Sequence, residues 1–221
     1  MILELPIADL KKLVATQIRN LFGLNEQEKL IIYSSYFDDE LARSEYSFNL
    51  NPNKYYQKLT IGGGKMAYFN PFQSAQYTIF LYYLSNCLSE PESRLADKVY
   101  YLNKMLNGCD LYHQVELPKF FRLDHPVGSV MGRAVYGEGF MFAQNCTVGN
   151  NKGIYPIIGE NVRMCAYSSI LGNCKIGNNV ILGAHAAVKD TDIPDNSIVF
   201  GQSPNLILKK QKSKENSCCK T

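Results

Sequence analysis

The chain has 221 residues, of which 46% are hydrophobic and 19% are charged, and its formal net charge is +3. This apolar content is sufficient for a packed core and excludes an intrinsically disordered protein. The small net charge, with one short basic run at 209–214, argues against a nucleic-acid-binding surface.

The sequence also bears on the compartment. No apolar run reaches the roughly 18 residues that span a bilayer, and the first residues lack the basic-then-apolar order of a secretory signal. The seven cysteines are scattered, and none forms a C-x-x-C pair. This spacing fits neither a disulfide framework nor a zinc ribbon, so we expect reduced thiols in a cytoplasmic protein.

The first half of the chain has apolar residues at helical spacing. Residues 8–22 are predicted to form a helix that ends at Gly23, and a second helix is predicted over 27–43. Residues 44–72 are rich in Asn, Gly and Tyr, which predicts a loop with a short strand.

Two further helices precede the middle of the chain. Residues 73–88 are apolar nearly all round, which predicts a helix that is buried on several faces. Residues 92–106 form an amphipathic helix, and Asn107-Gly108 is a typical C-cap.

Beyond residue 110 the apolar period becomes six. The large apolar residues at this step are Val130, Tyr136, Phe142 and Val148, then Ile158, Met164, Ile170, Ile176, Leu182 and Val188. Four extra residues lie between the two sets, in the stretch 150–156. A sustained period of six predicts a β-solenoid, in which each hexad forms one flat side and three hexads form one triangular coil. Gly-Asn and Asn-Asn pairs (Gly149-Asn150, Gly172-Asn173, Asn178-Asn179) suit the turns.

The predicted organisation is therefore α+β. An α-helical N-terminal domain covers 1–108, a parallel β-helix covers 109–208, and a flexible polar tail covers 209–221. An open solenoid end exposes unpaired backbone groups, so we expect the helical half to cap the first coil.

These hexads resemble those of the left-handed β-helix acyltransferases, and the helices-then-repeats order resembles most closely the serine O-acetyltransferases. The D-H-x-x-G motif of that family is matched by Asp124-His125-Pro126-Val127-Gly128. The family also has an aspartate upstream of the histidine, and Asp110 stands at the matching distance from His125 in this chain. The resemblance implies a left-handed parallel β-helix, acetyl-CoA as co-substrate, and a homotrimer or a dimer of trimers with the coenzyme between subunits.

Acetyl transfer from a thioester to a hydroxyl or amine needs a base for the acceptor's proton. His125 fits this role, and a carboxylate behind it, Asp110, would fix its tautomer. The plainer alternatives are a turn histidine and a turn-capping aspartate. The resemblance implies that Asp124 holds the acceptor's amino group.

The resemblance also implies coenzyme contacts. The family's two G-A pairs correspond to Cys165-Ala166 and Gly183-Ala184 here. Lys209, just past the last coil, suits the coenzyme's 3′-phosphate. We expect backbone N–H groups to stabilise the oxyanion, and the residues predicted for coenzyme and oxyanion contacts are Gly149, Asn150, Ala166, Gly183, Ala184 and Lys209.

One departure concerns the acceptor. The serine enzymes carry Arg-His-Pro in the loop between coils, where this chain has Ile154-Tyr155-Pro156. Losing the charge partner of a buried carboxylate costs roughly 2–5 kcal/mol, which favours an acceptor without a free carboxylate. We expect a sugar of surface-polysaccharide biosynthesis, bound in part by Tyr155. The alternatives are a true serine O-acetyltransferase of cysteine biosynthesis and a non-catalytic β-helix assembly module.

No metal is predicted. The three histidines (His113, His125 and His185) have no spacing typical of a zinc site.

Overall fold

A computed structural model describes residues 1–211 of the chain, and residues 212–221 lie outside it. The described part consists of an N-terminal helical region and a β-solenoid. Its helices are α1 (Ile7–Phe22), α2 (Glu26–Ile32), α3 (Ser35–Leu50), α4 (Ser74–Cys87) and α5 (Ser93–Asn107). Three short strands accompany them: β1 (Ile2–Leu3), β2 (Gln57–Leu59) and β3 (Lys65–Phe69), with β3 between the other two.

The helical region differs from the sequence prediction between residues 27 and 72. The single helix predicted over 27–43 is two helices, because the Ser34 side chain accepts the Tyr36 N–H and starts α3 there. The second of these, α3, continues to Leu50. The segment predicted as a loop with a short strand therefore holds the end of α3 and the antiparallel pair β2–β3.

The helix predicted to be buried on several faces is α4. Its residues from Gln76 to Ser85 are all buried. It packs against α3 and α5, which cover it from two sides. A helix that is apolar all round needs such a central position, so the prediction is confirmed. Gly108 ends α5 in the left-handed conformation, as the C-cap predicted.

The solenoid begins directly after α5. Its strands are β4 (Asp110–Leu111), β5 (Phe121–Leu123), β6 (Val130–Met131), β7 (Val135–Tyr136), β8 (Phe140–Phe142), β9 (Thr147–Gly149), β10 (Ile157–Ile158), β11 (Arg163–Met164), β12 (Ser169–Leu171), β13 (Lys175–Ile176), β14 (Ile181–Leu182), β15 (Ala187–Lys189), β16 (Ser197–Gln202) and β17 (Asn205–Lys210). Parallel pairing groups them into three faces. Face A contains β7, β10 and β13; face B contains β5, β8, β11, β14 and β16; face C contains β4, β6, β9, β12 and β15.

The strand register confirms the predicted coil of three hexads. Ile157 pairs with Lys175, so one full coil separates them, and this spacing is three times the hexad. In the coil below, Val135 pairs with Ile157, a longer spacing, because the loop 150–156 contains the four extra residues. This loop lies between faces C and A, and we call its position the C–A corner.

The inward-facing hexad residues from Tyr136 to Val188 are buried, as predicted. Val130 is the exception, because its side chain is 41% exposed while that of Met131 is 1% exposed. Neighbouring residues of a strand face opposite sides, and Tyr136 follows Met131 by five positions rather than six. The regular period therefore starts one hexad later than the sequence predicted.

The sequence predicted turns at three residue pairs, and two of these pairs contain a residue with positive φ. Gly172 and Asn179 have positive φ, whereas neither Gly149 nor Asn150 does. His125, Tyr167 and His185 also turn with positive φ.

Both ends of the solenoid are covered. Tyr82 of α4 packs edge-on against Phe121 of the first coil, with ring centroids 5.5 Å apart. Its hydroxyl donates to the Val115 carbonyl and accepts the Leu117 N–H. At the other end β17 folds back antiparallel to β16, so Lys209 and Lys210, which the sequence assigned to the polar tail, are strand residues. The rest of the predicted tail, from 212 on, lies outside the described residues.

Candidate active site

His125 stands on a turn that projects between faces B and C, a position that we call the B–C corner. The chain leaves face B after Leu123 and enters face C at Val130. His125 has φ of 50° and its side chain is 90% exposed. The imidazole is therefore open to an incoming substrate.

The His125 turn is held from both sides by backbone contacts. The Asp124 N–H donates to the Phe142 carbonyl, and the Gly128 N–H donates to the Gly108 carbonyl. Gly128 has φ of 77°, and a Cβ there would lie 2.1 Å from Oδ1 of Asn145. Only glycine fits this position without a shift, which accounts physically for the last residue of the D-H-x-x-G motif.

The two predicted carboxylates have different partners. Asp124 Oδ1 is 3.7 Å from His125 Nε2. Asp110 instead accepts a hydrogen bond from the Tyr100 hydroxyl at 2.8 Å and pairs with Lys104 Nζ at 2.5 Å. Hydrogen bonding to Asp110 raises the pKa of Lys104.

The structure therefore does not place Asp110 beneath His125, and residues 1–211 contain no hydrogen bond between the two. Asp110 pairs with Val130, because the first coil is two positions longer than a regular coil of three hexads. Leu111, its neighbour on β4, faces the core, so Asp110 faces outward toward α5. The orienting role predicted for Asp110 remains a prediction.

A cavity of about 390 Å³ opens beside the histidine. One wall is the turn from Leu123 to Pro126, and the other consists of residues 72–75 with Asn53, Tyr55 and Tyr56. Tyr55 and Phe72 are well exposed, whereas Tyr56 is buried. Burial raises the pKa of Tyr56, and the nearby Asp124 carboxylate raises it further.

The sequence did not reveal this second wall. Asn70-Pro71 ahead of a long apolar run locates the start of α4, but nothing in the sequence shows that this start meets His125, which lies in the other half of the chain.

Several predicted coenzyme residues share the corner of His125. Ala166 and the Gly183-Ala184 pair follow face B strands in successive coils, and the His185 N–H donates to the Ala166 carbonyl. Phe200 lies against Gly183, where an added Cβ would be 2.7 Å from its ring. Lys209 Nζ lies 5.6 Å from the centre of the same ring. Phe200 is thus a shared neighbour of Gly183 and Lys209 that the sequence did not suggest.

The remaining predicted residues lie elsewhere. Gly149, Asn150 and Tyr155 belong to the C–A corner, at or beside the loop 150–156. Tyr155 and Ile154 are exposed and are not among the residues that line the cavity at His125. Within one chain, the structure does not bring these residues to the histidine.

Two kinds of feature are absent from residues 1–211. None of the helices in this part of the chain is both long enough and apolar enough to cross a membrane. Over the same residues, no three His, Cys, Asp or Glu side chains are grouped as a metal site would require.

Comparison with known proteins identifies the repeat. The sequence model of the bacterial transferase hexapeptide family, which describes six repeats, matches residues 155–190. Serine acetyltransferase from Brucella abortus strain S19 superposes with a TM-score of 0.65 over 92% of this chain and 85% of that chain, at 18% identity. The Neisseria gonorrhoeae serine acetyltransferase gives a TM-score of 0.66 over 92% and 81%, at 19% identity.

Residues 155–190 thus match the hexapeptide-repeat family, and the structure has the fold of the solved serine acetyltransferases. The predicted fold class and the predicted resemblance are thereby confirmed. The hexapeptide match coincides with β10 to β15, where the period of six runs without a slip.

Sequence similarity to curated proteins is confined to part of the chain. Serine acetyltransferase from Staphylococcus epidermidis is 33% identical over 115 residues, which cover 50% of this chain and 53% of that protein. The chain therefore spans about half the length of the curated relatives it matches.

Proposed function

We propose that this chain is an acetyl-CoA-dependent O-acetyltransferase with L-serine as its acceptor. The observation that carries the proposal is the exposed His125 beside a cavity, on a chain whose curated relatives are named serine acetyltransferases. A relative of the same fold has been solved in complex with CoA, which supports the predicted donor.

L-Serine is thus preferred to the sugar acceptor that the sequence favoured. Ile154 and Tyr155 stand where the serine enzymes carry Arg and His, but they lie at the C–A corner, away from the cavity. Within this chain, their lack of charge is therefore no argument against an acceptor that carries a carboxylate.

The proposed reaction uses His125 as general base. The imidazole takes the hydroxyl proton while the acceptor oxygen bonds to the acetyl carbonyl carbon. The carbon–sulfur bond then breaks, and the proton passes to the departing thiolate, giving CoA and the O-acetyl ester. Ala166 and Ala184 share the B–C corner with His125, which supports a donor path along that corner.

Two broader predictions belong to the same proposal. We propose a homotrimer, because coils with flat sides suit threefold packing around a common axis. We also propose a cytoplasmic location, supported by the free thiols of Cys87, Cys109, Cys146, Cys165 and Cys174 within the described residues.

A sugar acceptor remains the second candidate. Tyr55 is 61% exposed and Phe72 is 71% exposed at the cavity, and exposed aromatic rings are typical stacking surfaces for sugar rings.

The proposed activity is tested by release of free CoA, followed with a thiol reagent. Acetyl-CoA is supplied with L-serine, and separately with nucleotide sugars. We expect release with L-serine and a fall of at least about 100-fold in His125→Asn, because asparagine tolerates the left-handed turn but cannot act as the base. Release only with a sugar would support the second candidate, and CoA release at an unchanged rate in His125→Asn would refute the histidine's role.

A further inference from the structure

Two arginines share the outer surface of face B. Arg122 on β5 pairs with Met141 on β8, and Met141 pairs with Arg163 on β11. The strand neighbours of all three are buried in the core, so these three side chains face outward. Parallel strands lie about 4.8 Å apart, which places the Cα atoms of the two arginines about 10 Å apart, with Met141 between them. Both guanidinium groups can therefore reach a molecule that lies above Met141.

The charge of Arg122 is partly buried and has no counterion within residues 1–211. Its Nε atom is buried and makes no hydrogen bond there. No carboxylate in this part of the chain forms an ion pair with Arg122 or Arg163. Burial lowers the pKa of the Arg122 guanidinium, and the charge of Arg163 lowers it further. Because arginine stays charged at physiological pH, the burial of this charge is a cost that the described residues do not offset.

The surroundings of the two arginines are apolar. Met141 separates them, and Ile181 pairs with Arg163 in the next coil on the same outward row. Both apolar side chains are partly buried. A charge-assisted hydrogen bond is stronger in such a partly dehydrated place than in open water. An anion is the component that would satisfy both guanidinium groups here.

A phosphate group matches this pair better than a carboxylate does. A phosphate monoester carries about −1.5 to −2 charges at pH 7, so a single group offsets both cations. Its oxygens can accept parallel hydrogen bonds from the planar fork of each guanidinium. A carboxylate has one charge and two oxygens, so it would leave one of the two arginines without a partner.

We propose that Arg122 and Arg163 form a phosphate-binding site on the outer surface of face B, in which the phosphate bridges the two guanidinium groups above Met141. Arg122 lies on the strand that leads into the His125 turn, so the site is next to that turn along the chain. Inorganic phosphate, a nucleotide-linked co-substrate and CoA all carry the group that this site binds. The site does not depend on which acceptor is acetylated.

The site is tested by isothermal titration calorimetry of the full chain with inorganic phosphate at constant ionic strength. The variants are Arg122→Met and Arg163→Met, because methionine keeps an unbranched apolar chain like that of Met141. The matched control is Arg133→Met at the C–A corner, where the exposed guanidinium contacts Gln114. We expect each variant of the pair to weaken phosphate binding at least about tenfold, and Arg133→Met to bind as wild type.

Thermal unfolding gives a second readout. Without phosphate, Arg122→Met is expected to be at least as stable as wild type, because it removes a partly buried charge that has no partner. Saturating phosphate is expected to raise the Tm of wild type and of Arg133→Met by at least about 3 °C more than that of Arg122→Met. Exclusion of phosphate from protein surfaces stabilises all three alike, so this difference reports binding.

UDP and CoA, used as further titrants, identify the source of the phosphate. Weaker binding of UDP in both variants of the pair would support a nucleotide-linked co-substrate, and weaker binding of CoA would support the coenzyme. No phosphate binding by wild type, or equal affinity in wild type and Arg122→Met, would refute the site. A lower Tm and a smaller oligomer of phosphate-free Arg122→Met would also overturn it, because a carboxylate of a second copy would then be the partner of Arg122. None of these measurements needs turnover, so the proposed activity stands or falls separately.

Discussion

Replacing Tyr56 with phenylalanine is expected to make the substrate-free protein more stable. The ring packs edge-on against Phe48 at 5.0 Å between centroids, and phenylalanine preserves this contact. Only the unpartnered hydroxyl is lost. An unsatisfied buried polar group costs about 1–3 kcal/mol, so we expect a gain of at least about 1 kcal/mol. For a chain of this length that corresponds to a rise in Tm of roughly 2–4 °C.

The matched control is Tyr82→Phe. The Tyr82 hydroxyl is equally buried but makes two hydrogen bonds, to the Val115 carbonyl at 2.7 Å and from the Leu117 N–H at 2.8 Å. Removing it leaves both backbone groups unpaired, so we expect a loss of about 1–3 kcal/mol. Urea unfolding without substrate measures both changes, and the expected signs are opposite. A loss of stability in Tyr56→Phe similar to that in Tyr82→Phe would show that the Tyr56 hydroxyl has a partner within the fold.

Two further substitutions test the fold, one in the His125 turn and one in the helical region. Gly128→Ala is expected to lower stability by about 2 kcal/mol and to reduce kcat/KM, because it adds a left-handed alanine and a clash with Asn145. Gly153→Ala, with the same φ sign but open space around it, should show only the smaller backbone effect in thermal unfolding. In the helical region burial alone would raise the pKa of Glu28. The hydrogen bonds from Lys98 and the Asn25 N–H, together with the charges of Lys98 and Arg94, outweigh burial and lower the pKa. The charged pair therefore stabilises the fold above the unfolded pKa of about 4.3 and loses this effect as the pH falls through the lower folded value. Glu28→Gln is expected to lose about 1–3 kcal/mol at pH 7, and urea titrations should show the difference closing below about pH 4.

The repeat itself could be predicted because large apolar residues of a solenoid recur at a fixed interval in the sequence, here every six positions. Each inward side chain from Tyr136 to Val188 is buried and packs against its neighbour one coil away. The spacing of the apolar residues in the sequence therefore gives the length of a coil. The period of six wrongly predicted that Val130 faces inward. The first coil is irregular there, and the regular spacing was the only signal that the sequence offered. Asp110 shows the same limit. Its separation from His125 suggested contact on a regular coil of three hexads, but the first coil is longer than that and Asp110 lies under Val130.

The cavity could not be predicted for a different reason. Its two walls come from segments far apart in sequence, one before α5 and one after it, and no periodic pattern relates a helix start to a solenoid turn. Capping residues indicate where α4 begins, as Gln73 does, but they do not indicate what its N-terminus faces. In the sequence, Tyr56 is one of several aromatic residues in a tyrosine-rich stretch. Only its burial together with its unpaired hydroxyl distinguishes it from Tyr55, and both are properties of the folded chain.

The two walls of the cavity are fixed by separate means, and this gives the helical region a part in the site. Contacts with α3 and α5 hold α4 in place, and its Tyr82 is bonded to the segment that leads into the first coil. The His125 turn is held by the next coil through Asp124 and by Gly108 through Gly128. Both walls are therefore held in position by contacts within the chain. Preorganisation of this kind lowers the entropy lost on binding, which favours recognition of a small molecule in the cavity. The solenoid alone retains the B–C corner, where the donor path is proposed, but the cavity beside His125 exists only where the helical region meets that corner.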